Sequence, residues 1–157
     1  MPLDLSLVIA CYNEEGLLLD SIRQVVETLD ATRYNYELIF IDDCSQDSTR
    51  SLIDQLIETY SDRAFRKIFH EQNMGRGGTV TEGIRAAQGT VVGFIDIDLE
   101  THARYIPSCV AAIQAGYDVA TARRIYIFHL RSIDRYILSK GYSRLVKWIL
   151  GFPLQDT

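Results

Sequence analysis

A chain of 157 residues that is 47% hydrophobic and 24% charged, with proline only at Pro2, Pro107 and Pro153, is sized for one folded domain and too apolar for disorder. Its net charge of −5 makes nucleic acid a poor partner. No apolar stretch reaches the roughly 20 residues of a membrane-spanning helix, and residues 1–10 lack the basic start of a secretory signal.

Residues 5–10 (LSLVIA) read as a buried strand. Leu18, Ile22, Val25, Val26 and Leu29 then recur on one helical stripe. A second strand is expected over 36–41 (YELIFI), followed by a helix over 45–60 carrying Ile53, Leu56, Ile57 and Tyr60. A strand over 65–70, a helix over 79–87 and a strand over 90–95 (TVVGFI) continue the alternation. Beyond these, 105–115 reads as a helix ended by Gly116, 118–122 as a short strand, and 130–150 as a helix with Ile133, Ile137, Leu138, Leu145 and Ile149 on one side. Strands alternating with helices predict one α/β domain over 1–157, with a mostly parallel, Rossmann-like sheet and helices on both faces.

Cys11, Cys44 and Cys109 are odd in number and widely spaced, without a CxxC or Cys/His ligand pattern. They read as small buried hydrophobes in a reducing compartment rather than as zinc ligands. Charge is unevenly spread. Residues 1–118 carry nine Lys or Arg against nineteen Asp or Glu, whereas residues 119–157 carry seven against two. The basic tail (Arg123, Arg124, Arg131, Arg135, Lys140, Arg144, Lys147) points to an anionic partner. Lys140, Arg144 and Lys147, near Tyr142 and Trp148, have the spacing of an interfacial helix or of a solvated helix face.

Ligands of open α/β sheets bind beyond the carboxyl ends of the strands. Four such ends stand out: residues 11–14 (CYNE), Asp42 with Asp43, residues 73–78 (NMGRGG), and Asp96-Ile97-Asp98. A mouth lined by Glu14, Asp42, Asp43, Asp96 and Asp98 sets like charges against one another, which a cation or a donor-rich ligand would relieve. In extended chain, residues i and i+2 point to one side, so Asp96 and Asp98 can converge, with Glu100 following if extension persists. Carboxylate oxygens suit Mg2+ or Mn2+ and leave positions for phosphate oxygens. A solvated strand end whose acids cap the next segment is the alternative. Asp43 can accept hydrogen bonds from a nucleobase or ribose, while Ser45 or Ser48 caps the following helix with Asp47 in its first turn. The glycine-rich loop can bring backbone N–H groups and Arg76 to a phosphate, or simply form a turn.

Taken in order, VIACYNEE (8–15), FIDDCSQDST (40–49), NMGRGGTVTEGIRAAQG (73–89), FIDIDLE (94–100), YIP (105–107), ATARR (120–124) and LGFPLQDT (150–157) resemble glycosyltransferase family 2. The likeness is strongest to its dolichyl-phosphate or polyprenyl-phosphate sugar synthases, on the glycosyltransferase-A fold. It implies that Ala10, Tyr12 and Glu14 line a nucleotide pocket and that Ile41 and Asp43 contact base and ribose. It further implies that Arg76, Ile97 and Arg123 belong to the nucleotide-sugar site. Asp96 and Asp98 correspond to the catalytic DxD motif, holding the metal with Glu100. The sequence departs from the family at Ala10 (usually Pro), Cys44 (usually Gly), Arg76 (usually Lys) and Glu100 (usually Gln). The closing motif of the family continues past Asp156 and Thr157, so the chain is expected to be a piece of a longer domain.

The resemblance implies metal-dependent, inverting transfer of a sugar from a UDP- or GDP-sugar to a polyprenyl or dolichyl phosphate. It also implies a cytoplasmic enzyme, peripheral to or anchored at the membrane in its full-length form. A family 2 enzyme with a saccharide or protein acceptor, and a non-catalytic nucleotide-binding module, are the alternatives.

Overall fold

The computed structural model describes residues 2–122. Arg123, the rest of the basic tail and the helix expected over 130–150 lie outside the described residues. The elements are β1 (Leu5–Cys11), α1 (Leu18–Asp30), β2 (Tyr36–Asp42), α2 (Thr49–Thr59), β3 (Ala64–Phe69), α3 (Gly75–Ala86), β4 (Val91–Asp96), a 3-10 turn (Ala103–Tyr105) and α4 (Ile106–Gln114). They belong to one compact unit, Met1–Ala120. The four strands are all parallel and lie in the order β3-β2-β1-β4.

Side chains alternate across each strand, so β1 serves two layers. Leu5, Leu7, Ile9 and Cys11 join Leu38 and Phe40 of β2 in the larger core. Leu18, Ile22, Val25 and Leu29 of α1, Ile53 and Leu56 of α2, and Ile106 and Val110 of α4 close over that layer. Val8, Ile39 and Ile41 form the smaller core on the other face. There α3 approaches through Gly83, where an added Cβ would stand 2.3 Å from Val8 Cγ1. Helices therefore cover both faces, as the alternation predicts. β1 and β2 are the continuously apolar strands because both of their faces are covered. At about 1.5–3 kcal/mol for each large side chain fully buried, this central pair is a major part of the hydrophobic stabilisation, shared with α1.

At the amino end of the strands, Glu37 is buried on β2 and accepts from Ser6 Oγ (2.6 Å), Gln88 N–H (2.9 Å) and Arg66 (3.0 Å). Burial disfavours its charge, but these donors outweigh burial and hold its pKa below the usual value.

The elements depart from expectation in instructive places. α2 begins at Thr49, not at residue 45, because residues 45–48 are committed to loop hydrogen bonds. α3 begins four residues early, at Gly75, despite three glycines in its first turn. The strand expected over 118–122 is absent: Val119 stands 75% exposed, so no buried face offsets the ordering of a strand. Pro107 sits in the first turn of α4, where its missing N–H costs nothing, and Gly116 (φ 100°) follows the helix. Of the three cysteines, only Cys11 is buried; Cys44 lies in a loop turn and Cys109 is half-buried on α4.

Candidate functional site

β1 is followed by β2 on one side, while β4 lies on its other side, so the chain reverses direction of travel between β1 and β4. Loops leaving the two strands run to opposite sides there, and the carboxyl ends beside such a point are where open α/β sheets bind ligands. The register places Ala10 opposite Ile41 on one flank and opposite Asp96 on the other. Three of the residues expected at the site thus stand in one row across β2, β1 and β4.

The loop after β1 is pinned to the loop after β2. Asn13 N–H donates to Ser45 Oγ (2.9 Å), Glu14 N–H to Thr49 Oγ1 (2.8 Å) and Glu15 N–H to Asp47 Oδ2 (3.1 Å). In return, Gln46 N–H donates to Asn13 Oδ1 (2.8 Å) and Ser48 N–H to Glu15 Oε2 (3.0 Å). Asn13 adopts a left-handed backbone (φ 56°), which Asn tolerates better than most residues. Tyr12 is left half exposed and Glu14 part-buried. Neither Ser45 nor Ser48 caps α2 through its hydroxyl. Asp47 Oδ1 accepts Thr49 N–H instead (3.0 Å), and Glu15 takes the N–H of Ser48, because Ser45 is already turned toward Asn13.

Asp42 and Asp43 part company at the end of β2. Asp42 is fully buried on the α2 side, where Oδ2 accepts Arg50 Nε (2.6 Å) and Ser45 N–H (3.0 Å). Asp43 turns the other way and is 4% exposed. Its Oδ1 accepts Met74 N–H (2.7 Å) and meets His70 Nδ1 (2.8 Å), and its Oδ2 accepts Gly75 N–H (2.8 Å). Burial opposes ionisation, but the Met74, His70 and Gly75 donors outweigh it and hold the Asp43 pKa below the ordinary value. Asp43 therefore grips the start of α3 from beneath, which is why that helix starts early; a base or ribose donor would have to share oxygens already engaged. Cys44, next in the turn, is left-handed (φ 68°), which explains the glycine usual at this position of the resembling family.

From the first turn of α3, Arg76 reaches Asp96, NH2 to Oδ2 at 2.6 Å. Extension stops at Asp96: Leu99 N–H donates back to Asp96 O (3.1 Å), and Leu99 is left-handed (φ 48°). Asp98 Oδ1 accepts Glu100 N–H (3.1 Å). The turn breaks the two-residue alternation after Asp96, so strand geometry no longer sets Asp98 or Glu100 on one side with it. No group of three acids, histidines or cysteines able to hold a metal forms among the described residues. Glu14 is nonetheless near enough to the DxD acids to respond to their charge. Partial burial, then the charges of Asp98, Asp47 and Asp96, push the Glu14 pKa above the ordinary value. Asp96 and Asp98 are hard oxygen donors of the kind that suits Mg2+ or Mn2+, with phosphate oxygens completing the shell.

Sequence reading missed His70, Glu82 and Arg50. His70 Nε2 meets Glu82 Oε2 at 2.9 Å, and Arg50 NH2 donates to His70 O. The available signal was position: His70 follows directly on β3, in the rank beside Asp42 and Asp43, with its N–H on Asp42 O (2.9 Å). Burial, together with the Asp42 and Glu14 charges, pushes the Cys11 thiol far up, which fits an inert residue.

The sequence model of glycosyl transferase family 2 matches residues 6–151. The chain belongs to this family. Among curated relatives, it is 30% identical over 158 residues to the glycosyltransferase AglD of Haloferax volcanii, covering 98% of this chain and 25% of that protein. It is 31% identical over 152 residues to an undecaprenyl-phosphate 4-deoxy-4-formamido-L-arabinose transferase of Shewanella sediminis, covering 96% of this chain and 45% of the relative. The chain thus spans a quarter to a half of the length of these relatives. A solved mannosyltransferase of Pyrobaculum calidifontis, in complex with GDP-Man and Mn2+, superposes with a TM-score of 0.60 at 23% identity, covering 73% of this chain and 32% of that one. A GalNAc transferase solved with UDP, GalNAc and Mn2+ gives 0.53 at 23% identity, covering 61% and 18%. These likenesses establish the fold as glycosyltransferase-A.

Proposed function

We propose that this family 2 chain binds the donor for sugar transfer from a UDP- or GDP-sugar to a polyprenyl phosphate, with inversion at the anomeric carbon. The observation that carries the reading is the Arg76–Asp96 pair at the carboxyl end of β4, in register beside Ala10 of β1, whose following loop carries Glu14. Relatives named for undecaprenyl-phosphate sugar transfer support the lipid acceptor, and the Mn2+ complexes of the structural neighbours support the metal.

In this reading Ala10, Tyr12, Glu14, Ile41 and Ile97 surround the nucleotide, and Asp43 shapes its floor through the α3 start. Asp96 and Asp98 would hold Mg2+ or Mn2+, which when bound supplies positive charge against the departing diphosphate. Arg76 releases one Asp96 oxygen and offers its guanidinium to a phosphate, aided by the amino terminus of α3. Arg123, which the family resemblance implies for the nucleotide-sugar site, lies outside the described residues. The acceptor phosphate is already anionic near neutral pH, so its oxygen attacks without a general base. The basic segment 119–157 presents the anionic lipid at a membrane surface, on its cytoplasmic side; no described helix is long and apolar enough to cross a membrane.

Incubating the protein with labelled UDP- and GDP-sugars and detergent-solubilised undecaprenyl phosphate tests the proposal. Label entering the lipid fraction in the presence of Mn2+ is the expected result. Label appearing only on added saccharides, or release of free sugar with no lipid product, would assign the chain to a different acceptor.

A further inference from the structure

His70 is 8% exposed and lies between two carboxylates on different elements, Asp43 after β2 and Glu82 on α3. Its Nδ1 is 2.8 Å from Asp43 Oδ1 and its Nε2 is 2.9 Å from Glu82 Oε2. An ionised carboxylate only accepts, so both ring nitrogens must donate, which only the imidazolium can do. The other charged groups at this residue are Arg50 of α2, on the His70 carbonyl, and Asp42, which pairs with that Arg50 and accepts the His70 N–H through its backbone oxygen. Among the described residues, the ring itself thus pairs with two negative charges and no positive one.

We propose that the His70 imidazolium is a positioning residue for the donor site, fixing the start of α3 so that Arg76 meets Asp96. The chain of contacts is continuous. His70 partly neutralises Asp43, and Asp43 accepts the N–H groups of Met74 (2.7 Å) and Gly75 (2.8 Å). Asn73 Nδ2 ties the same loop to Asp43 O (3.2 Å), and Arg76, the next residue after Gly75, reaches Asp96 at 2.6 Å. Through Glu82 the same ring holds the solvent side of α3, two turns further along. Gly75 adopts φ 73° and the turn contains Gly77 and Gly78, so the helix start has little intrinsic preference for its shape and depends on these ties. Deprotonation removes one ring donor and leaves either Asp43 or Glu82 facing a lone pair. Burial disfavours the charged ring, but the bonds to Asp43 and Glu82 outweigh burial and raise its pKa above 6.5. The loss therefore comes on the alkaline side.

The consequence for Arg76 and nucleotide rests on the donor-site reading, whereas the hold on the α3 start does not. Three measurements on the full chain separate them: NMR titration of the His70 ring, protection factors of the Met74 and Gly75 amides across pH, and calorimetric affinity for UDP and GDP with Mn2+. With rising pH, wild-type Met74 and Gly75 protection and nucleotide affinity should each fall about tenfold, with the midpoint of the His70 titration. His70→Gln should bind more weakly with no such pH dependence. Glu82→Gln, a milder change at a half-exposed residue, should move the midpoint downward. Amide protection that ignores the His70 titration, or a His70→Gln profile that parallels wild type, would overturn the proposal. If the amides respond but neither nucleotide binds wild type at any pH, the donor-site reading fails, and with it the part assigned to His70 in donor binding.

Discussion

Gly83→Ala should loosen α3 from the sheet and lower both stability and donor affinity. The added methyl would stand 2.3 Å from Val8 Cγ1, 2.9 Å from Val8 Cγ2 and 2.9 Å from Ile41 Cδ1. Carbon pairs are comfortable at about 3.5–4.0 Å, so the helix must retreat by roughly 1 Å. Val8 cannot turn away, because both of its γ carbons are in the way and it is fully buried on a central strand. Overpacking of this kind costs about 3 kcal/mol at its upper end. The better helix propensity of Ala offsets about 1 kcal/mol of that, leaving a net loss of about 2 kcal/mol. Urea unfolding should show a lower midpoint at an unchanged slope. Gly77→Ala, with nothing within 4 Å of its added methyl, is the matched control and should lose no stability. A Gly83→Ala protein as stable as wild type would refute the close approach of α3 to Val8.

Cys44→Gly should stabilise the protein by about 1 kcal/mol in the same unfolding assay, because it relieves a left-handed non-glycine residue (φ 68°). Stability should also fall as pH drops below about 4. Asp43 and Asp47 have pKa values below the ordinary 3.8, so the unfolded chain binds their protons first and folding is penalised as pH falls toward their folded values. For His70 the sign reverses: its contribution is complete below 6.5 and is lost as pH rises through its folded value. The unfolding midpoint should therefore peak between these two limits; a profile rising steadily toward alkaline pH would contradict the His70 assignment. Asp98→Asn should lower the Glu14 pKa, read by carbon-detected NMR of its carboxyl, since Asp98 is the foremost of the charges raising it.

The strands and most of the helices were legible because β1 and β2 are apolar on both faces and α1 carries a clean stripe. Asp96 was legible as a strand end, whereas Ala10 and Ile41, which share its row, came from the family resemblance. Three things were hidden for physical reasons. The start of α3 depends on a carboxylate more than thirty residues earlier in the chain, and local propensity at three glycines argues against it. The direction Asp43 takes is fixed by His70, Met74 and Gly75, which become its neighbours only after β3 and α3 dock. The loss of alternation after Asp96 turns on a left-handed Leu99, a backbone state that leucine does not advertise.

Calorimetric titration of UDP and GDP, with and without Mn2+, on wild type and Asp98→Asn tests the central claim most directly. The account predicts that one nucleotide binds wild type in a Mn2+-dependent way and that Asp98→Asn weakens this at least tenfold, equivalent to about 1.4 kcal/mol. Binding that is indifferent to both Mn2+ and Asp98, or no binding of either nucleotide, would contradict it.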